Sequence, residues 1–250
     1  MSATVSIDRA GAVAVVRLER PHRLNAINVE LLEELVAALR TVAGERVVVL
    51  EGAGRAFCVG EDLKETLAPR TGSGSELRHA FRLLQEVTRL LTGAPAVFVA
   101  AVQGYAVGGG AELALAADLV VGEQGLRMRF PEVTLGHAVT GGISARLPAM
   151  VGLLRAKELL LTGRWIEAEE AVELGMLNRL EADARAAARE WAAELAQSPA
   201  RSLAAGKRGL ELAAFAQQET VLAAEVDAAS WCFAADEAQQ SIDAFRSRHA

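Results

Sequence analysis

Three consecutive glycines precede an acid in Gly108-Gly109-Gly110-Ala111-Glu112, shortly after the apolar run Phe98 to Val102. The order predicts a buried strand, a glycine-rich bend from Gly104 to Gly110, and a helix opened by that bend through Ala117. The first N–H groups of a helix have no internal partner and lie at the positive end of its dipole. Without a Cβ, glycine lets a ligand oxygen approach that backbone closely, which suits an oxyanion. Glu112 follows Gly109 by three residues, so its carboxylate can face the same pocket. Alone, the stretch equally allows glycines that serve close packing and an acid favoured by the dipole.

A second stretch, Ala56-Phe57-Cys58-Val59-Gly60-Glu61-Asp62-Leu63-Lys64-Glu65, again runs from an extended segment through a bend toward a helix. The N–H of Glu61 would be a second oxyanion donor; a strand-to-helix turn capped by Asp62 is the plainer reading. In the third, Phe130-Pro131-Glu132, the acid follows an apolar run. Partial desolvation there would raise its pKa and make it a proton donor near neutral pH. A solvent-facing acid after a Pro turn is the alternative.

The elements that must position these groups follow from periodicity. Strands are predicted at Thr4–Asp8, Val13–Leu18, Val47–Glu51, Ala96–Val102, Leu119–Gly122 and Leu126–Phe130. Helices are predicted at Asn28–Ala43, with Asn28 as N-cap, and at Glu76–Leu91. Between them Thr71 to Ser75 reads as a mobile loop. From about Ser144 the pattern is helical: Leu153–Leu161, Ala168–Leu174, Asp183–Gln197, Ala200–Phe215 and Glu219–Phe233. The series is interrupted by Pro199, after which the chain forms a further helical layer. This rhythm means α/β with a helical C-terminal part.

The 250 residues carry 52% apolar and 4% aromatic side chains and a net charge of −6, so the core is ample and no basic stripe invites nucleic acid. Cys58 and Cys232 form no disulfide or zinc pattern and fit a reducing cytoplasm. The N-terminal residues show no signal-peptide pattern, and no apolar run would span a bilayer. The Gly-x-Gly-x-x-Gly fingerprint fails at Leu113, no Gly-Lys-Ser/Thr occurs, and Gly72-Ser73-Gly74 is not a nucleophile elbow. His22, His79, His137 and His249 lack metal spacing; His137, nearest the acids, reads as structural or surface.

Taken in order, the three stretches resemble signatures of the crotonase (enoyl-CoA hydratase/isomerase) family. The likeness begins at Glu19-Arg20-Pro21-His22-Arg23-Leu24-Asn25-Ala26-Ile27-Asn28. It runs through Gly54 to Glu65, Val102 to Leu113, Phe130-Pro131-Glu132, Leu161-Thr162-Gly163 and Ala168 to Gly175, and closes at Phe233 to Phe245. The resemblance implies a crotonase-like spiral of ββα units over residues 1–195, carrying the active site, and a C-terminal helical trimerisation region over 196–250. It also implies a homotrimer or homohexamer.

By the same resemblance the N–H groups of Glu61 and Gly109 form the oxyanion hole, and Arg23 and Val59 contact the coenzyme A part of the substrate. Lys64 stands beside the pocket as a bystander. Glu at both 112 and 132 matches hydratases: Glu112 would activate water for attack at C3, and Glu132 would protonate C2. No cofactor or metal is implied, since coenzyme A belongs to the acyl-CoA substrate. Two departures keep a delta-isomerase or another acyl-CoA-processing reaction open. Thr140 stands where a glycine often lies near the water site, and Glu61 replaces a small residue. A non-catalytic RNA-binding relative is disfavoured by both acids and by the net charge.

Overall fold

A computed structural model of the chain describes residues 3–63 and 74–235, together with 240, 243, 244 and 247. Lys64, Thr71 to Ser73 and Phe245 lie outside the described residues. Six strands form one sheet: β1 (Val5–Ala10), β2 (Val13–Leu18), β3 (Val47–Gly52), β4 (Val97–Val102), β6 (Leu119–Glu123) and β9 (Arg179–Glu181), in the order β1-β2-β3-β4-β6-β9. Only the β1–β2 pair is antiparallel; the other neighbours run parallel. Parallel strands covered on both faces read as near-continuous apolar runs, and β3 and β4 are buried at every residue.

A smaller sheet, β5-β7-β8 (Tyr105–Val107, Arg127–Arg129, Ile166–Glu167), receives the chain after it leaves the larger one. Between β4 and β5 the chain turns at Gly104 (φ 62°), and between β6 and β7 at Gly125 (φ 82°). At Gly104 a Cβ would fall on the Arg55 carbonyl oxygen, so the backbones there pack at glycine distance. Segment 57–61 plays the same part after β3, bridging Ala106 through Cys58 and Ile27 through Glu61. Each excursion ends in a helix: α2 (Gly74–Gly93), α3 (Gly109–Leu115) and α4 (Ile143–Val151). This repetition of ββα turns is the spiral.

Helices cover both faces. α1 (Val29–Val42) is capped by Asn28, whose side chain accepts from Leu31 N–H at 3.0 Å, and buries Leu31, Leu32, Leu35 and Leu39. On the opposite face α7 (Ala184–Leu195) lays Ala184, Ala188 and Ala192 against Val47, Val49, Val97 and Val99, an approach that small side chains permit. α5 (Leu153–Thr162), α6 (Ala168–Glu173), α8 (Ala200–Ala214) and α9 (Gln218–Phe233) complete the chain's second half. The predicted, predominantly helical run after about Ser144 thus holds two short strands. β9 has no face of its own to bury and forms only by extending the sheet edge at β6. Gly74 and Ser75, predicted as loop, begin α2.

Candidate active site

Strand β5, formed inside the stretch predicted as a glycine-rich bend, delivers the chain to Gly108, whose φ of 52° turns it into α3. Gly109 and Gly110 are the first residues of that helix, so their N–H groups have no partner within it. The packing is tight: a Cβ at Gly110 would lie 2.2 Å from the Cys58 carbonyl oxygen, and one at Gly60 2.5 Å from that of Val107 and 3.5 Å from Gly109 N. Segment 57–61 therefore runs along the glycine turn. Ile27 N–H donates to the Gly60 oxygen at 2.8 Å and Asp62 N–H to the Ile27 oxygen at 2.9 Å. In such a parallel bridge the N–H of Glu61 faces away from Ile27, on the side of Val107 and Gly109.

Behind this segment Asn25 adopts a left-handed conformation (φ 56°) and is fully buried. Its side chain accepts from Arg20 N–H at 2.9 Å and donates to the oxygens of Ala53, Ala56 and Phe57. Arg20 reaches Asp62 at 3.2 Å. Asn25 and Arg20 received no role from the sequence, because the main-chain oxygens that Asn25 meets and the Asp62 carboxylate that Arg20 meets lie far along the chain. Val59 N–H donates to the oxygen of Leu24, the residue after Arg23, at 3.2 Å. Arg23 and Val59 are both half-buried and outside the cavity described next.

That cavity, of about 50 Å³, is lined by Glu61, Gly109, Glu112, Glu132, His137 and Thr140, with Ile27, Phe81, Leu84, Ala138 and Phe233 as its apolar wall. Both acids singled out from the sequence therefore face one space. Glu112 is 2% exposed, and both its oxygens accept main-chain N–H groups, Thr140 at 3.3 Å and Gly141 at 2.9 Å. Burial raises its pKa well above the ordinary carboxyl value, helped by the charges of Glu132 and Glu225 and opposed by those two N–H groups. Glu132 is pushed up to about 7, first by burial and then by the charge of Glu61, while Arg129 pulls it down. Its Oε2 is buried without a hydrogen-bond partner.

His137, read from sequence as structural or surface, is buried in the cavity wall with Nδ1 4.0 Å from a Glu61 oxygen and its ring edge-on to Phe233. Burial lowers its pKa to about 4, so it is neutral at physiological pH. Thr140 is buried beside the acids. Among the described residues no group of three His, Cys, Asp or Glu side chains could hold a metal ion, and no helix is long and apolar enough to cross a membrane.

The sequence model of the enoyl-CoA hydratase/isomerase family matches residues 8–250. The chain belongs to this family. It is 30% identical to the short-chain-enoyl-CoA hydratase of Clostridium acetobutylicum over 248 residues, 96% of this chain and 94% of that protein. It is 41% identical to a candidate enoyl-CoA hydratase of Thermus thermophilus over 199 residues, 77% of this chain and 78% of that one. Among solved structures, an enoyl-CoA hydratase/isomerase of Mycobacterium paratuberculosis superposes with a TM-score of 0.91 at 28% identity, covering 97% of this chain and 98% of the other. An enzyme fold of the crotonase family, with two acids on one cavity, is therefore what this chain is.

Proposed function

We propose that the chain is an enoyl-CoA hydratase, adding water across the C2=C3 bond of a 2-enoyl-CoA to give a 3-hydroxyacyl-CoA. The observation that carries this reading is the unequal treatment of two carboxyls on one cavity. Glu112 has two main-chain donors that compensate a negative charge, whereas the buried Oε2 of Glu132 has none and suits a proton. The thioester oxygen rests between the N–H groups of Glu61 and Gly109, where enolate charge develops; each such donor is worth about 3–4 kcal/mol. Glu112 takes a proton from water as the water oxygen bonds to C3. The C2=C3 electrons pass toward the thioester, and Glu132 gives its proton to C2. Arg23 and Val59, outside the cavity, stand where the coenzyme A arm leaves it; the apolar wall of Phe81, Leu84 and Phe233 takes the acyl tail. Coenzyme A enters as part of the substrate.

Exposed Leu153, Leu154 and Leu161 on α5, Leu210 and Leu212 on α8, and Trp231 on α9 support assembly as a homotrimer or homohexamer. The free cysteines, Cys58 and Cys232, support residence in the cytoplasm. The pair of acids titrates in two macroscopic steps. Hydration needs Glu112 ionised and Glu132 protonated, so turnover rises with pH as the pair loses its first proton and falls as it loses its second. Purified protein incubated with 2-enoyl-CoA and 3-enoyl-CoA thioesters tests the reading. Gain of one water by 2-enoyl substrates supports it; reaction of 3-enoyl substrates alone would assign an isomerase instead.

A further inference from the structure

Glu225, on α9, takes no part in the steps above, yet it is 5% exposed and both its oxygens are occupied by main-chain N–H groups, Gly142 at 2.7 Å and Ser144 at 3.0 Å. The N–H groups just before these, of Thr140 and Gly141, are the ones that hold Glu112. Residues 140–144 thus form a strap gripped from α3 at one end and from α9 at the other. The peptide between Gly141 and Gly142 is fixed on both sides: its oxygen accepts from Thr88 Oγ1 at 2.8 Å and its N–H donates to Glu225. Leu222, one turn before Glu225, lies against Gly142, and its carbonyl accepts from Gln85 at 2.5 Å.

We propose that Glu225 is a positioning residue for Glu112, holding the strap whose Thr140 and Gly141 amides aim the Glu112 carboxylate. The inference rests on the hydratase reading for its kinetic consequence, though the geometry of the strap is independent of the reaction. An acid that only caps α4 would stabilise the fold and nothing else. Glu225 does more, because its charge also raises the proton affinity of Glu112 across the strap. Glu132 is the other buried charge that raises Glu112; the remaining charges on packed elements are engaged elsewhere or exposed. On α2, Arg78 and Arg89 pair with Asp227 and Glu219, Glu86 pairs with Arg40, and His79 and Arg82 are exposed. On α4, Arg146 pairs with Glu211; before α4, His137, against Phe233, is neutral.

The test compares wild type with Glu225→Gln, Glu225→Asp and Leu222→Ala. Gln offers one carbonyl oxygen where two N–H groups ask for one each. For Glu225→Gln, kcat on crotonyl-CoA is expected to fall by about ten- to a hundredfold with KM nearly constant, and the pH profile of kcat to move toward lower pH. Glu225→Asp keeps the charge but shortens the reach, so kcat falls while the profile stays in place; this holds the test open should the Gln variant not fold. Leu222→Ala loosens α9 and lowers the melting temperature without moving the profile. Titration of the Glu112 carboxyl in protein labelled with ¹³C at glutamate reads the same coupling without any turnover. In Glu225→Gln, an unmoved Glu112 titration or a kcat loss uniform across pH overturns the inference. A moved titration in a protein that does not hydrate crotonyl-CoA overturns the hydratase reading alone.

Discussion

Glu112 and Glu132 face the same cavity but are held in opposite ways. Glu112 sits in the first turn of α3 with both oxygens tied to amides of a distant strap. Glu132 follows Pro131 at the end of a strand of the small sheet and keeps one buried oxygen without a partner. Their proton affinities are both raised, and burial is the largest cause for each. What separates them is the hydrogen bonding: two strap N–H groups meet the Glu112 carboxylate, whereas Oε2 of Glu132 is buried without a partner. On the hydratase reading proposed above, the two identical side chains serve as base and acid on one bond.

The largest effect expected is on turnover when either partner is removed. Glu112→Gln and Glu132→Gln should each lower kcat for hydration by about 10²–10⁴, measured by loss of the enoyl thioester absorbance. Retention of full turnover by either would break the pairing. A next, smaller effect comes from displacing one acid without removing it. A Cβ at Gly141 would lie 2.6 Å from Glu112 Oε2, and one at Gly108 2.4 Å from Glu132 Oε1. Gly141→Ala is expected to cost about 10² in kcat through misplacement, with Gly108→Ala adding backbone strain because its φ is 52°. Steady-state kinetics on folded variants checks both.

Stability sharpens the contrast further. A carboxyl whose folded pKa is raised binds more protons in the native than in the unfolded state between the two values. Its contribution is therefore complete at low pH and is lost as pH rises from the ordinary carboxyl range through about 7. Glu132→Gln should gain on the order of 3 kcal/mol of stability at pH 8 and little at pH 4, read by denaturant unfolding at the two pH values. The smallest change is expected at Thr140, which holds Glu112 through its N–H. Thr140→Gly leaves that donor in place, so kcat should change only a few-fold, on the order of the entropy cost of an added glycine; a loss as large as that of Glu112→Gln would give the Thr side chain a role of its own.

How much was legible in the sequence follows the range of the interactions. The glycine turn and Glu112 could be read because five adjacent residues, Gly108 to Glu112, set the turn and the first helical turn. The α1 cap and the apolar strands β3 and β4 were local in the same way. The strap was not legible: Gly141 meets Glu112 across 29 positions and Gly142 meets Glu225 across 83. Which of the two roles His137 has, structural or surface, was not legible for the same reason, since its ring packs against Phe233 at the end of α9. Strands β8 and β9 were missed because two or three residues paired at a sheet edge carry no period of their own.

The division of labour between the two acids is tested most directly by exchange at C2. Wild type and the two Gln variants are incubated with a saturated acyl-CoA in D₂O, and deuterium at C2 is followed by NMR. Wild type and Glu112→Gln should exchange the C2 proton, because Glu132 is present to take it and the Glu61 and Gly109 amides to hold the enolate. Glu132→Gln should not. Exchange that survives in Glu132→Gln and disappears in Glu112→Gln would contradict the assignment of base and acid.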